Sequence, residues 1–145
     1  MPSATTLVLA DAQATPVNHS FLPIGVDPKT GTLTYVDQSA SSAIGFWRIT
    51  ADMKQPSAAS AGQSSVNRSY RVKIGLHEPV LETLSNNSAG IVPAPTVAYV
   101  PRAFAEFVLP ERATLQNRKD IRKMLALALA TADVIGMVEN LQTYS

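Results

Sequence analysis

The feature that most constrains this chain is the alternation between Phe46 and Ile74. Two segments, FWRITADMK and SYRVKI, flank a loop of Pro, Ser, Ala, Gly and Gln. In the first, Arg48, Thr50, Asp52 and Lys54 alternate with Trp47, Ile49, Ala51 and Met53. In the second, Ser69, Arg71 and Lys73 alternate with Tyr70, Val72 and Ile74. Successive side chains of a strand point to opposite faces of a sheet. A period of two therefore predicts two neighbouring antiparallel strands with one packed face and one wet face. Between Arg48 and Lys73 stand five cations (Arg48, Lys54, Arg68, Arg71 and Lys73) and one acid, Asp52. The 145-residue chain has a net charge of only +1, so positive charge is gathered on one surface. A basic face on a near-neutral protein is the electrostatic footprint of a nucleic-acid contact. The bland reading is an ordinary solvated sheet face, since surface charge is common.

The rest of the chain extends this pattern. TTLVLA and VNHSFL form a candidate hairpin over residues 5–22. GVDPKTGTLT carries Asp-Pro and Thr-Gly turn signals over Gly25–Thr34, and a strand follows from Thr32. The connector Gln55–Val66 is polar and lacks an apolar period, which predicts mobility. Glu78–Thr96 is the longest irregular stretch, with an Asn-Asn-Ser-Ala-Gly tip and two prolines; loops of this length usually serve function or an interface. Val97–Leu109 reads as a strand with Pro101 at a bulge or edge. There Arg102, Phe104 and Glu106 share a face. The sheet strands thus span residues 32–109.

After Pro110 the period changes to that of a helix. Leu115–Ala130 is predicted helical with Thr114 as N-cap. Leu115, Ile121, Met124, Leu125, Ala128 and Leu129 form its apolar stripe. Thr131-Ala-Asp133 interrupts it and caps a second helix, Val134–Leu141; the helices occupy residues 115–141. Strands followed by helices make an α+β order, with helices covering one face of an antiparallel sheet. The length fits a single domain, 1–145, and no internal repeat is present.

Composition narrows the function further. Zero Cys excludes disulfides, thiol catalysis and cysteine metal sites. His19 and His77 lie far apart without ligand spacing, so no metal site or cofactor is expected. No apolar run is long enough to span a membrane, and the N-terminus lacks the basic region of a signal peptide. There are no paired carboxylates with a base, no nucleophile elbow and no phosphate-binding glycine loop, so an enzyme is not expected. Trp47 faces the apolar side and is expected to pack under a helix; His77 reads as a structural or rim residue.

The order and spacing of these segments resemble the coat proteins of single-stranded RNA bacteriophages (the levivirus family), nearest to the Q-beta type. The resemblance covers nearly the whole chain. It rests on TLVL, GVDPKTGTLTYVDQ, ITADMKQPS, NRSYRVKI (Asn67–Ile74), EFVLPERAT and the tail NLQTY (Asn140–Tyr144). It implies an N-terminal hairpin, a five-stranded antiparallel sheet and two C-terminal helices. It further implies an intertwined homodimer in which each subunit's helices lie across its partner's sheet. Such dimers would build an icosahedral shell, usually T=3, with the Glu78–Thr96 loop at the symmetry contacts. The implied partners are single-stranded viral RNA on the inner sheet face and the virion's maturation protein. The implied setting is the virion, assembled in the bacterial cytoplasm.

Family coat proteins also repress replicase translation by binding an RNA hairpin. By position, Thr50 and Lys73 match RNA-contacting residues of the family in type and place. Asp52, Arg71, Arg102 and Phe104 stand at other such positions but differ in type. Where the family often has a base-stacking Tyr, this chain has Arg102; Phe104 is the aromatic left on that face to stack on an unpaired base. Arg48, Lys54, Arg71, Lys73 and Arg102 are expected to meet phosphates irrespective of sequence. The alternative is a small dimeric regulator that reads RNA on its sheet and never assembles.

Overall fold

The computed structural model describes residues 3–145. Eight strands precede two helices: β1 (Leu7–Ala10), β2 (Asn18–Val26), β3 (Leu33–Asp37), β4 (Trp47–Lys54), β5 (Ser69–His77), β6 (Val80–Leu81), β7 (Val97–Tyr99), β8 (Arg102–Pro110), α1 (Leu115–Ala128) and α2 (Ala132–Glu139). Six of the strands form one sheet in the order β1-β2-β3-β4-β5-β8, and β6 and β7 form a separate two-stranded ribbon. The α+β fold is as expected, but the main sheet has six strands rather than five.

The extra strand has a local cause. β2 does not end at Leu22. Its first half pairs with β1 from Leu7↔Phe21 to Ala10↔Asn18, and its second half pairs with β3 from Leu22↔Val36 to Val26↔Leu33. The hairpin is therefore continuous with the sheet. Gly25, expected to open the turn, instead sits in β2 at a register shift, with φ of 125°. That backbone conformation is open to Gly and strained for other residues, and it lets the strand bulge and continue. The turn itself is tighter: Asp27 caps it through Lys29 N–H at 2.8 Å, and Gly31 supplies a φ of 72°.

Two further expectations need correction. The strand expected over Val97–Leu109 is split at Pro101, which has no N–H for a ladder. The Pro101 carbonyl instead accepts from the Glu78 backbone N–H at 3.1 Å. The Gln55–Val66 connector, expected to be mobile, is pinned. Arg68 donates to Glu111 at 2.6 Å, to the Gln63 side chain at 3.2 Å and to the Ser57 carbonyl. Its guanidinium is thus engaged in structure, and Arg68 leaves the count of free cations on the wet face.

Contacts gather the chain into two compact units: Met1–Lys54 with Arg71–Glu106, and Gln55–Tyr70 with Phe107–Ser145. In the first, Phe21, Val36 and Ile49 are the buried apolar side chains among the described residues. Trp47, expected under a helix, stacks on His19 with ring centroids 4.5 Å apart. In the second, α1 starts at a capping box: Thr114 Oγ1 accepts from Asn117 N–H at 3.1 Å, and Asn117 Oδ1 accepts from Thr114 N–H at 3.2 Å. α1 ends two residues earlier than its pattern suggests, and α2 starts two residues earlier. Thr131 holds the N-cap position of α2, but its hydroxyl donates back to the Ala128 carbonyl at 2.7 Å. No described helix is long and apolar enough to cross a membrane.

Candidate nucleic-acid interface

The wet face is assembled by register. β4 and β5 pair antiparallel with Arg48↔His77, Thr50↔Gly75, Asp52↔Lys73 and Lys54↔Arg71. Directly opposed residues of an antiparallel pair share a face, so these eight form two adjoining rows. β8 is the next strand of the sheet and adds Arg102, Phe104 and Glu106 by alternation. All eight residues singled out from the sequence (Arg48, Thr50, Asp52, Lys54, Arg71, Lys73, Arg102 and Phe104) fall on this one face.

They are not evenly distributed. Asp52, Lys54, Arg71 and Lys73 line a small polar pocket of about 160 Å³ together with Glu106. Glu106 lies 3.6 Å from Arg71, and both side chains are roughly half exposed. A solvated pair at that distance is weak, so Arg71 stays available to an incoming anion at small cost. Phe104 is 56% exposed. Lys73 Nζ stands 5.0 Å from its ring centroid, and His77 meets it edge-on at 5.4 Å. An exposed ring flanked by a cation is a platform for a flat π-system, with an ammonium group beside it to meet the attached phosphate.

Three members of the face escaped the sequence reading. Glu106 was seen on the right face but given no part. His77, read as a rim residue, packs against Phe104. Gly75 matters most: a Cβ there would lie 2.9 Å from Thr50 Oγ1 and 3.0 Å from Phe104 Cε1. The missing side chain is what lets the Phe104 ring lie over β5 beside Thr50. A glycine inside an otherwise regular strand was the available signal, because it often marks such a close approach.

Comparison with known proteins identifies the fold. The chain matches the family described as levivirus coat protein over residues 2–144. It is similar in structure to the virus-like particle of bacteriophage ESE058, with 51% identity, a TM-score of 0.90, and coverage of 99% of this chain and 100% of that one. For the virus-like particle of bacteriophage NT-214 the identity is 30% and the TM-score 0.83, over 99% and 100% of the two chains. The bacteriophage GA protein capsid shares the fold at 18% identity, with a TM-score of 0.70 over 96% and 95%. No curated protein sequence matches the chain. With its order of strands and helices, and a family match spanning nearly its whole length, this chain belongs to the levivirus coat protein family.

Proposed function

We propose that this coat protein acts as a single structural domain that forms an intertwined homodimer. The dimers assemble into an icosahedral shell and hold single-stranded viral RNA on the β4-β5-β8 face. The observation that carries the reading is the poverty of the chain's own core. Among the described residues three apolar side chains are buried, whereas Met124 is 62% exposed, Leu127 and Leu129 are 59% exposed, and Val138 is 69% exposed. On the apolar side of the sheet, Met53 and Ile74 are also left open. Contiguous exposed apolar surface marks a site of association. Each 100 Å² of it taken from water contributes roughly 2.5 kcal/mol before ordering costs. A second copy, laying its helices on this copy's sheet and offering its own sheet in return, covers both surfaces.

Assembly of dimers fits the similarity to virus-like particles of bacteriophages ESE058 and NT-214. RNA contact fits the face built by Arg48, Thr50, Lys54, Arg71, Lys73, Arg102 and Phe104. There the cations meet phosphates and Phe104 stacks on a base. Thr50 and Lys73 are the residues best placed for replicase repression through an RNA hairpin. Packing with a maturation protein and assembly in the host cytoplasm follow from the same reading, as does a T=3 shell.

The test is to express the chain alone in bacteria, image the product by negative-stain electron microscopy and measure its absorbance at 260 and 280 nm. Uniform round particles with a nucleic-acid spectrum are expected. Small dimers that bind RNA but never close into shells would overturn the assembly reading in favour of a sheet-based regulator.

A further inference from the structure

The corner where the N-terminal hairpin joins the sheet holds an ionisable cluster that shell formation and RNA contact leave unused. His19, on β2, stands between two carboxylates. Its Nδ1 is 2.6 Å from Asp37 Oδ2, at the end of β3, and its Nε2 is 3.4 Å from Asp11 Oδ2, in the β1–β2 turn. Trp47 of β4 stacks on the ring at 4.5 Å, fixing its plane. Asp37 is 5% exposed and is further held by the Ser39 N–H and hydroxyl.

An ionised carboxylate only accepts hydrogen bonds, and a neutral imidazole has a single N–H. Only the imidazolium can therefore donate to both acids at once. When the ring loses a proton, the short bond to Asp37 keeps the remaining N–H. The longer contact to Asp11 then becomes a lone pair facing a carboxylate. Asp11 does not lose its turn: its Oδ1 still accepts from Val17 N–H at 2.9 Å and from Gln13 N–H at 3.2 Å. What is lost is the tie between that turn and β2, whereas the bond from His19 to Asp37 on β3 remains. The hairpin also has room to move. A cavity of about 310 Å³ lies under it, lined by Leu9, Ala12, Phe21, Trp47 and Leu76, with Glu78 as the further ionisable group on its wall.

We propose that Asp11, His19 and Asp37 form a proton-controlled clasp that fastens the β1–β2 turn to the strands behind it in the protonated state and frees that turn in the neutral one.

The direction of the pH effect follows from the surroundings. The Asp37 hydrogen bond, opposed by desolvation and aided by Asp11, raises His19 above its ordinary value of 6.5. For Asp37, burial works to raise the carboxyl, but the bonds from His19 and Ser39 prevail and hold it below 3.8. Asp11 is also lowered, chiefly by the Val17 N–H. A raised folded-state value means that the contribution of His19 is complete below pH 6.5 and is lost as pH climbs through that raised value. The two acids contribute above about pH 3.8 and fail only as pH falls through their lowered values. The clasp is thus closed in mildly acidic solution and opens on the alkaline side.

The test is amide hydrogen exchange on the intact protein as purified, comparing β1 with β3 at each pH so that the intrinsic pH dependence cancels. In the wild type the β1-to-β3 exchange ratio is expected to rise several-fold between about pH 6 and about pH 8.5. His19→Gln is expected to give a high, pH-independent ratio. If His19→Gln does not fold, Asp11→Asn, which keeps the turn's acceptor, is expected to flatten the response in the same way. A flat wild-type ratio, or an undiminished rise in the foldable variant, would overturn the clasp. The readout does not depend on shell closure or RNA, so it can fail or succeed separately from them.

Discussion

The β4-β5-β8 face and the helices α1 and α2 both expose side chains, but of different kinds and for opposite reasons. On the face, Arg71 lies near Glu106, Lys73 stands over Phe104, and Phe104 is seated where Gly75 leaves space. Water is an acceptable neighbour for all of them except the ring. On the helices, beside the exposed Arg118, Lys119, Arg122 and Lys123, stand exposed Leu, Met, Ile and Val side chains, for which water is the worst neighbour. Exposed charge is commonplace and says little by itself; a continuous exposed apolar stripe is informative. The two regions therefore carry different messages. On the proposed reading, the face is finished within one chain and takes RNA, whereas the helices are completed by a second copy's sheet.

Substitutions can break or sharpen that contrast. The largest effect is expected from Met124→Asp. In an isolated chain an exposed position should tolerate the change; in a dimer it puts an unpaired charge into an apolar interface, costing about 3 kcal/mol or more. Size-exclusion chromatography with light scattering is expected to show loss of dimers and shells. A variant that still assembles would place Met124 outside the interface.

A middle-sized effect is expected from Gly75→Val. The added carbons meet Thr50 and Phe104 at close to 3 Å, so the ring must leave its seat, at about 1–3 kcal/mol of stability. Thermal unfolding should show the loss, and RNA affinity should fall with it. Unchanged RNA affinity would mean that Phe104 is no base platform. The smallest effect is expected from the double change Arg71→Ala with Lys73→Ala. It should lower the salt dependence of RNA binding by roughly one to two contacts' worth, with a modest loss of affinity. A slope equal to that of the wild type would move the RNA elsewhere.

Much of this was legible in the sequence, because periodicity reports directly on which way side chains point. The alternation through Arg48–Lys54, Ser69–Lys73 and Arg102–Glu106 placed the proposed face residues on one side, and Thr114 announced the start of α1 by its capping chemistry. What stayed hidden depended on residues with two uses. Gly25 can make a turn or a bulge, and only pairing with β3 decides for the bulge. Arg68 looks like its basic neighbours, yet Glu111, 43 positions later in the chain, claims it. His19 gave no signal, because Asp11 and Asp37 become its neighbours only when the hairpin folds onto the sheet. No local pattern encodes a long-range partner.

The β6–β7 ribbon has a consequence for how readily shells form. It joins the two ends of the long loop through Val80↔Tyr99 and Leu81↔Val97. The Glu82 N–H to Thr96 carbonyl bond at 2.9 Å extends the seam. At the tip, Asn87 Oδ1 accepts from the Ala89 and Ile91 N–H groups, both at 2.9 Å. The loop is thus closed at its base and folded at its end before it meets a neighbour. Much of the conformational entropy that a free segment would lose at a subunit junction has already been surrendered during folding of the subunit. In the proposed assembly, where this loop meets a neighbouring subunit, encounters would then select among few loop shapes, which would speed productive docking and narrow the range of curvatures a growing shell can adopt.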